Sequence, residues 1–487
     1  MPRFSRRQFL QTAGLAAGAA LSPRSWGQVT GANSDIRLAF VGFNSRGAAL
    51  ITDFSKVPGT RVAALCDVDS AVLEPMAKKI RATGRDVRTA TDLRDLLKAD
   101  DIDAVVIATP NHLHTMQAVW ACQAGKDVYL EKPVSHNLWE GRKIVEAADK
   151  YKRMVQVGSQ CRSSDSLAEA VAWVKAGNLG KITAARGLCY KRRDTIGQTT
   201  GPQPVPTTVN YDLWLGPAAN AQPRRTKFHY DWHWFWEYGN GDLGNQGVHQ
   251  VDIARWFLGE KTLAPRVLTA GGRLGYKDDA ETPNTFIVMQ DYAAAPLLFE
   301  VRGLPVKTGD RAMDSFHPAN LPANVGASIG VIVHCEGGTV VVPDYVSAHA
   351  YDKDGKLLKD FVGSSSHAGN FITAVRSRKT SDLNAPILEG HLSSGLAHTA
   401  NISHRLGKGA APEAIREQIK GNAAFGEMYD RMAEHLAANG IDFAQTPVTL
   451  GMPLMLDPVK ERFVNHDAAN ALVKPLYRAP YVVPEVV

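Results

Sequence analysis

The sequence predicts a two-domain α/β chain: a doubly wound parallel sheet of the Rossmann type, followed by an α+β domain on a large, mostly antiparallel sheet. Three observations carry this. The apolar run Ile36 to Val41 ends in Gly42-Phe43-Asn44-Ser45-Arg46-Gly47 and passes into a helical pattern from Ala48 to Phe54. That order places backbone N–H groups where a pyrophosphate can sit. Apolar runs then alternate with helical stretches as far as Gly158, as parallel crossovers require. From Asn284 onward, short apolar runs follow one another instead, as antiparallel strands do.

At 487 residues the chain exceeds one ordinary domain. The boundaries read as a leader and linker over 1–34, a nucleotide domain over 35–158, a substrate domain over 159–410 and a C-terminal extension over 411–487 packed on both. Hydrophobic content of 44% with 21% charged residues describes a soluble protein with ample core. The formal charge of +6 is spread out, with no basic tract interleaved with aromatics, so nucleic acid is not an expected partner. Five scattered cysteines have no metal or disulfide spacing and read as buried free thiols.

Ser5-Arg6-Arg7-Gln8-Phe9-Leu10 precedes the apolar stretch Thr12 to Leu21. This pattern is a twin-arginine signal. Its apolar run falls short of the ~20 residues that span a bilayer, so we expect periplasmic export by the twin-arginine machinery and no stable membrane anchor. Cleavage follows Ala19 or falls nearer Gly27.

In the first domain, Asn44 stands where the usual GxGxxG has its second glycine. A second apolar run, Arg61 to Cys66, ends at Asp67, 20 residues past Gly47. An acid there accepts hydrogen bonds from ribose hydroxyls and repels a 2′-phosphate, which favours NAD over NADP. The run Asp103 to Ala108 leads into Thr109-Pro110-Asn111-His112-Leu113-His114. His112 and His114 lack a third ligand nearby, so no metal is read here, and the loop is expected to cover the dinucleotide. Val128 to Leu130 then stops at Glu131-Lys132-Pro133, which puts an ammonium at the carboxyl edge of the sheet, where open α/β sheets bind ligands.

The leader, the glycine turn, Thr109-Pro110-Asn111-His112 and Glu131-Lys132-Pro133 together resemble the Gfo/Idh/MocA oxidoreductases, named for glucose-fructose oxidoreductase and inositol dehydrogenase. The resemblance implies an open C-terminal sheet that carries a carbohydrate substrate on one face and often a homo-oligomer contact on the other. It places Lys132 beside the nicotinamide, bonded to the reacting hydroxyl, and suits a cis Pro133. The expected cofactor contacts are Gly42, Asn44, Ser45, Arg46, Gly47, Asp67, Thr109, Pro110, Asn111, His112, His114, Glu131, Lys132, Pro133 and Gln160.

In the second domain, Gly247-Val248-His249 precedes Asp252 in a helical stretch. The family's catalytic segment commonly has an Asp four residues before a His. With the His at His249, the Asp position falls on Asn245, and an amide cannot share a proton as a carboxylate does. His249 remains the expected base, because neutral imidazole is well populated near pH 7. Asp242 supplies the missing charge if its loop turns inward. Candidate substrate contacts are Arg162, Tyr190, Lys191, Asp252 and the aromatics Trp234 and Trp236, whose flat faces suit sugar rings. For the basic stretch from Tyr190, a solvated strand edge is the equal alternative.

Together these readings point to a periplasmic, NAD-dependent oxidoreductase acting on a sugar, glycoside or related polyol. The periplasm offers no free nicotinamide pool, so the cofactor stays bound and is recycled internally. Two alternatives stand beside this: glycoside cleavage through transient oxidation and elimination, and a sugar-binding protein that keeps NAD as a structural part.

Overall fold

The computed structural model describes residues 35–487 apart from 444, so the twin-arginine leader lies outside the described residues. The first sheet holds β1 (Ile36–Val41), β2 (Thr60–Cys66), β3 (Arg88–Ala90), β4 (Ala104–Ile107), β5 (Asp127–Leu130) and β6 (Val155–Val157). Their order is β3-β2-β1-β4-β5-β6, and every pairing is parallel. Strands β4 and β5 are buried throughout, as central strands covered on both faces must be. Helix α1 (Arg46–Ser55) follows β1 and buries Leu50, Ile51 and Phe54. The strand order reverses between β1 and β4, which leaves a crevice at their carboxyl ends.

The second sheet is built on β7 (Ile182–Cys189), β8 (Arg266–Gly272), β9 (Thr285–Gln290), β10 (Leu297–Arg302), β11 (Ile329–Cys335), β12 (Gly338–Val342), β13 (Ser347–Asp352) and β14 (Leu357–Val362). Its main path is β14-β13-β12-β11-β7-β10-β9-β8. Pairing along it is antiparallel except between β7 and β10. Alternation along each strand sends residues to opposite faces. Phe286, Val288, Phe299 and Val333 pack against Val251, Ala254 and Phe257 of α2 (Val248–Leu258). Ile287, Met289 and Leu298 point the other way.

The later chain departs from a simple succession of domains. Helix α3 (His367–Ser377) returns to the first domain and sets Phe371 and Ile372 in one core with Phe40 and Phe54. Ala385 accepts a hydrogen bond from Val157 N at 2.9 Å, and α4 (Ile387–Arg405) follows. Within residues 411–487, expected as a packed extension, Val448–Leu450 pairs with β8 of the second sheet, and Leu454 and Met455 pair with Val267 and Arg266. Helix α5 (Ala423–Ala438) lays Phe425, Met428 and Met432 over the outer sheet face. The five cysteines are free, four of them buried.

Candidate active site

The glycine turn is shaped by close approach. Gly42 has φ +74°, and a Cβ on Gly47 would lie 2.0 Å from Gly42 O, so neither position takes a side chain without moving the turn. The backbone N–H groups of Phe43 and Asp69 donate to the two oxygens of Asp67 at 3.1 and 3.0 Å. Asp67 thus braces the turn as well as facing the crevice, and burial pushes its pKa up. A cleft of about 270 Å³ runs from Gly42, Asn44, Ser45, Arg46 and Asp67 past Thr109 and Pro110 to Glu131, Lys132 and Asn245. The glycine cradle and the acid at the end of β2 fit a dinucleotide.

The loop after β4 is held from behind. Thr109 Oγ1 donates to Gln117 Oε1 at 2.7 Å. The His114 ring nitrogens lie 2.8 Å from the carbonyl oxygens of Pro133 and Thr109; burial lowers its pKa to about 4, so the neutral ring donates to one of them. His114 therefore ties this loop to the Lys-Pro turn rather than touching the cleft. Asn111 donates to Asn240 Oδ1 at 2.5 Å. His112, expected on the cofactor, points away: its Nε2 lies 2.9 Å from Trp214 O, and it lines a separate cavity.

The Lys132–Pro133 bond is cis. Glu131 pairs with Arg46 at 2.8 Å, and a Cβ on Gly158 would lie 2.7 Å from the Glu131 carboxyl carbon. Lys132 Nζ donates to Asn245 O at 2.5 Å. Burial lowers the lysine pKa; Glu131 opposes this, and Arg46 and Lys191 add to it. Asn245 lies in a π-helical turn, Leu243–Gly247, that runs into α2. Such turns displace the regular helical ladder and recur at functional sites.

His249 occupies the first turn of α2, 4% exposed, its ring 5.2 Å from that of Tyr345 and its Nδ1 without a hydrogen-bond partner among the described residues. Burial and then the Lys132 charge hold its pKa well below 6.5. Lys191 Nζ donates to Gln246 Oε1 at 3.0 Å, and Gln246 Nε2 donates to the Tyr345 hydroxyl at 2.6 Å. The structure thus brings Lys132, Asn245, His249 and Lys191 together. It adds Gln246, Tyr345 and the stacked pair Trp232 and His233, whose ring centroids are 3.7 Å apart beside Lys132 and Asn245 in the cleft. The aromatic run around Trp232 was the one sequence signal for that pair; nothing local pointed to Tyr345.

Other expected contacts lie elsewhere, each for a physical reason. Asp242 does not turn inward as a free charge, because Arg193 donates to both its oxygens at 2.8 and 2.6 Å. Trp234 is buried, with that arginine 5.2 Å over its ring. Arg162 and Asp252 satisfy each other at 2.8 to 3.0 Å in a buried cluster with Ser393 and Glu389. Tyr190 donates to Glu300 at 2.6 Å and bonds Arg431 of α5, on the outer side of the sheet. Gln160 lines a groove with Ser163 and His367, while Trp236 lines the cavity of His112.

A dinucleotide crevice that ends at a buried lysine between two such domains is the layout of a two-domain NAD-binding fold. Residues 36–159 match the model of the Gfo/Idh/MocA oxidoreductase family's NAD-binding Rossmann fold, and residues 172–289 match that of its C-terminal alpha/beta domain. These two domains belong to the Gfo/Idh/MocA family. Among curated relatives, "Glycosyl hydrolase family 109 protein 2" of Shewanella sp. (strain ANA-3) is 31% identical over 206 residues, covering 37% of this chain and 45% of the relative. A "Glycosyl hydrolase family 109 protein" of Solibacter usitatus is 33% identical over 198 residues, 38% of this chain and 45% of the relative. The chain therefore spans about half the length of these relatives. Among solved structures, the WlbA dehydrogenase from Bordetella pertussis, in complex with NADH and UDP-GlcNAcA, shares the fold with a TM-score of 0.53 at 21% identity, covering 75% of this chain and 94% of that one. Levoglucosan dehydrogenase, in complex with NADH and levoglucosan, gives a TM-score of 0.56 at 16% identity, covering 74% and 95%.

Proposed function

We propose that the protein is an NAD-dependent oxidoreductase acting on a sugar carbinol, that its cofactor stays bound, and that its net reaction is cleavage of a glycoside. The observation that carries this is the buried Lys132 at the end of the nucleotide cleft, with a neutral His249 near enough to feel its charge. Bound nicotinamide supplies reversible hydride acceptance, so the overall cycle is redox-neutral. Lys132 holds the oxygen of the reacting hydroxyl, and His249 takes its proton on a ring that burial keeps unprotonated. Once that carbon is a carbonyl, the adjacent C–H is acidic. Having passed its first proton to solvent, the same ring removes this one, and the aglycone leaves with its bonding electrons and takes a proton from water. Water then adds across the double bond, and return of the hydride and of a proton to the carbonyl restores the alcohol. No pair of hydrolytic carboxylates is required. The glycosyl hydrolase family 109 relatives support cleavage over transfer between two sugars. The twin-arginine pattern supports export of the folded protein with its nucleotide held, into a periplasm that could not recycle it.

A second reading, a sugar-binding protein with structural NAD, is favoured by Asn245, which leaves the histidine without the family's carboxylate. The test is to denature purified protein and assay the supernatant for NAD(H), then to incubate native protein with a panel of aryl glycosides. Released aglycone with no net accumulation of reduced nicotinamide supports cleavage. Absence of nucleotide refutes the redox proposal, and nucleotide without turnover on any glycoside leaves the binding protein.

A further inference from the structure

The last residues of the chain return to the nucleotide cleft. In the sheet order β3-β2-β1-β4-β5 the cleft runs from Lys132, after β5, to Leu93, after β3, and Asp67 at the end of β2 marks the adenosine ribose. The end beyond Asp67 is therefore the adenine end. Tyr481 lines the cleft there. The guanidinium of Arg94, next to Leu93, stands 5.3 Å over the Trp120 ring and 5.6 Å over the Tyr481 ring. Tyr481 shares one apolar cluster with Leu113 and Met116, which line the same cleft. Aromatic and apolar faces of this kind suit a flat purine.

The same segment ties the two walls of the cleft together. The Tyr481 hydroxyl donates to Asp212 Oδ2 at 2.6 Å, and Arg478 donates to Asp212 Oδ1 at 2.6 Å and to Gly216 O at 3.1 Å. Asp212 belongs to the short helix Tyr211–Leu215, whose Leu213 and Trp214 line the cleft from the side of the second domain. On the side of the first domain the segment is held at three points. Tyr477 donates to Glu140 at 3.1 Å, Lys143 Nζ donates to Glu485 O at 2.7 Å, and Val487 is buried in one core with Ile144 and Val145. We propose that residues 474–487 form a clasp over the adenine end of the cleft, with Tyr481 as its contact to the base and Asp212 as its catch, and that this clasp sets the rate at which the dinucleotide leaves. The inference rests on the nucleotide site alone and does not depend on glycoside cleavage.

The test is exchange of the nucleotide held by the purified protein against radiolabelled NAD in large excess. Tyr481→Ala and Asp212→Ala should each speed exchange at least tenfold. Tyr481→Phe keeps the ring and loses the bond to Asp212, so its rate should fall between those of wild type and Tyr481→Ala. Two residues of one clasp are coupled, so the double variant should exchange more slowly than the product of the single effects. Val482→Ala, at a position 51% exposed on the same segment, should exchange within twofold of wild type. The Asp212 side chain is 61% exposed, so Asp212→Ala should keep the urea midpoint of wild type once nucleotide is removed. Exchange within twofold of wild type in Tyr481→Ala or in Asp212→Ala overturns the clasp. So does exchange as fast in Val482→Ala as in Tyr481→Ala, or faster exchange in Asp212→Ala that only follows a lowered urea midpoint. Wild-type protein that neither carries nor takes up nucleotide refutes the nucleotide site, and the clasp with it.

Discussion

Lys132→Met removes an ammonium while keeping the side chain's length. An ammonium about 3 Å from a developing alkoxide at an effective dielectric near 20 is worth about 5 kcal/mol, nearly four decades in rate. Partial charge development in the transition state brings the expected loss to about 10²–10⁴-fold. Stability should move differently. The folded-state pKa of Lys132 lies below its ordinary 10.5. At pH 7 the unfolded lysine is charged, so holding that charge inside costs about 1.4 kcal/mol per pKa unit, a cost that fades as pH rises toward 10.5. Methionine removes the cost but leaves Asn245 O without its donor, which costs about 1–3 kcal/mol. The two oppose each other at pH 7, and wild type should gain on the variant as pH rises. Rapid-mixing absorbance of reduced nicotinamide in a single turnover reads the first effect, and urea melts from pH 7 to 10 read the second. A turnover rate within tenfold of wild type, or a loss of more than about 4 kcal/mol at pH 7, would refute the assignment and mark Lys132 as structural.

Because His249 is held well below 6.5, the pH profile of kcat/KM should show no acid inflection near 6.5; in Lys132→Met, which removes one cause of the depression, the acid limb should move to higher pH. Glu140 ionises at about 7 when folded against 4.5 when unfolded, so its contribution to stability falls by roughly 3 kcal/mol as pH rises between those values. Urea melts of Glu140→Gln should lack that slope. Asp252→Asn takes from the buried Arg162 one of the two carboxylates that pair with it and should cost toward the lower end of about 3–5 kcal/mol in urea unfolding, with turnover per folded molecule little changed. Gly47→Ala drives a Cβ against Gly42 O, so the purified protein should carry at least tenfold less nucleotide, measured on the denatured supernatant.

The nucleotide half was legible because its signals are local. Strands β4 and β5 are continuous apolar runs, and the turn Gly42 to Gly47 is a single stretch of chain. Strands with a mixed face were not: Ser347–Asp352 and Leu357–Val362 alternate with exposed positions, and β3 is only three residues long. Substrate contacts failed where a distant partner decides a side chain's direction. Arg162 is claimed by a carboxylate 90 residues away, and Tyr190 by an arginine 241 residues away. Lys132 and His249 were readable from their motifs, whereas the π turn that delivers Asn245 O to the lysine leaves no mark in residue type.

The return of the late chain to the first domain bears on how the molecule is made. Phe371 and Ile372 fill the core under β1, while Tyr481 and Val483 cover Leu113 and Met116 beside the cofactor loop. Contacts of such sequence separation form late, since the loop must close before they reward it. On the ribosome, the nucleotide domain therefore emerges with bare apolar flanks and matures only after residues near 483 have left the tunnel. A chaperone that shields the emerging domain then has a long interval in which to act.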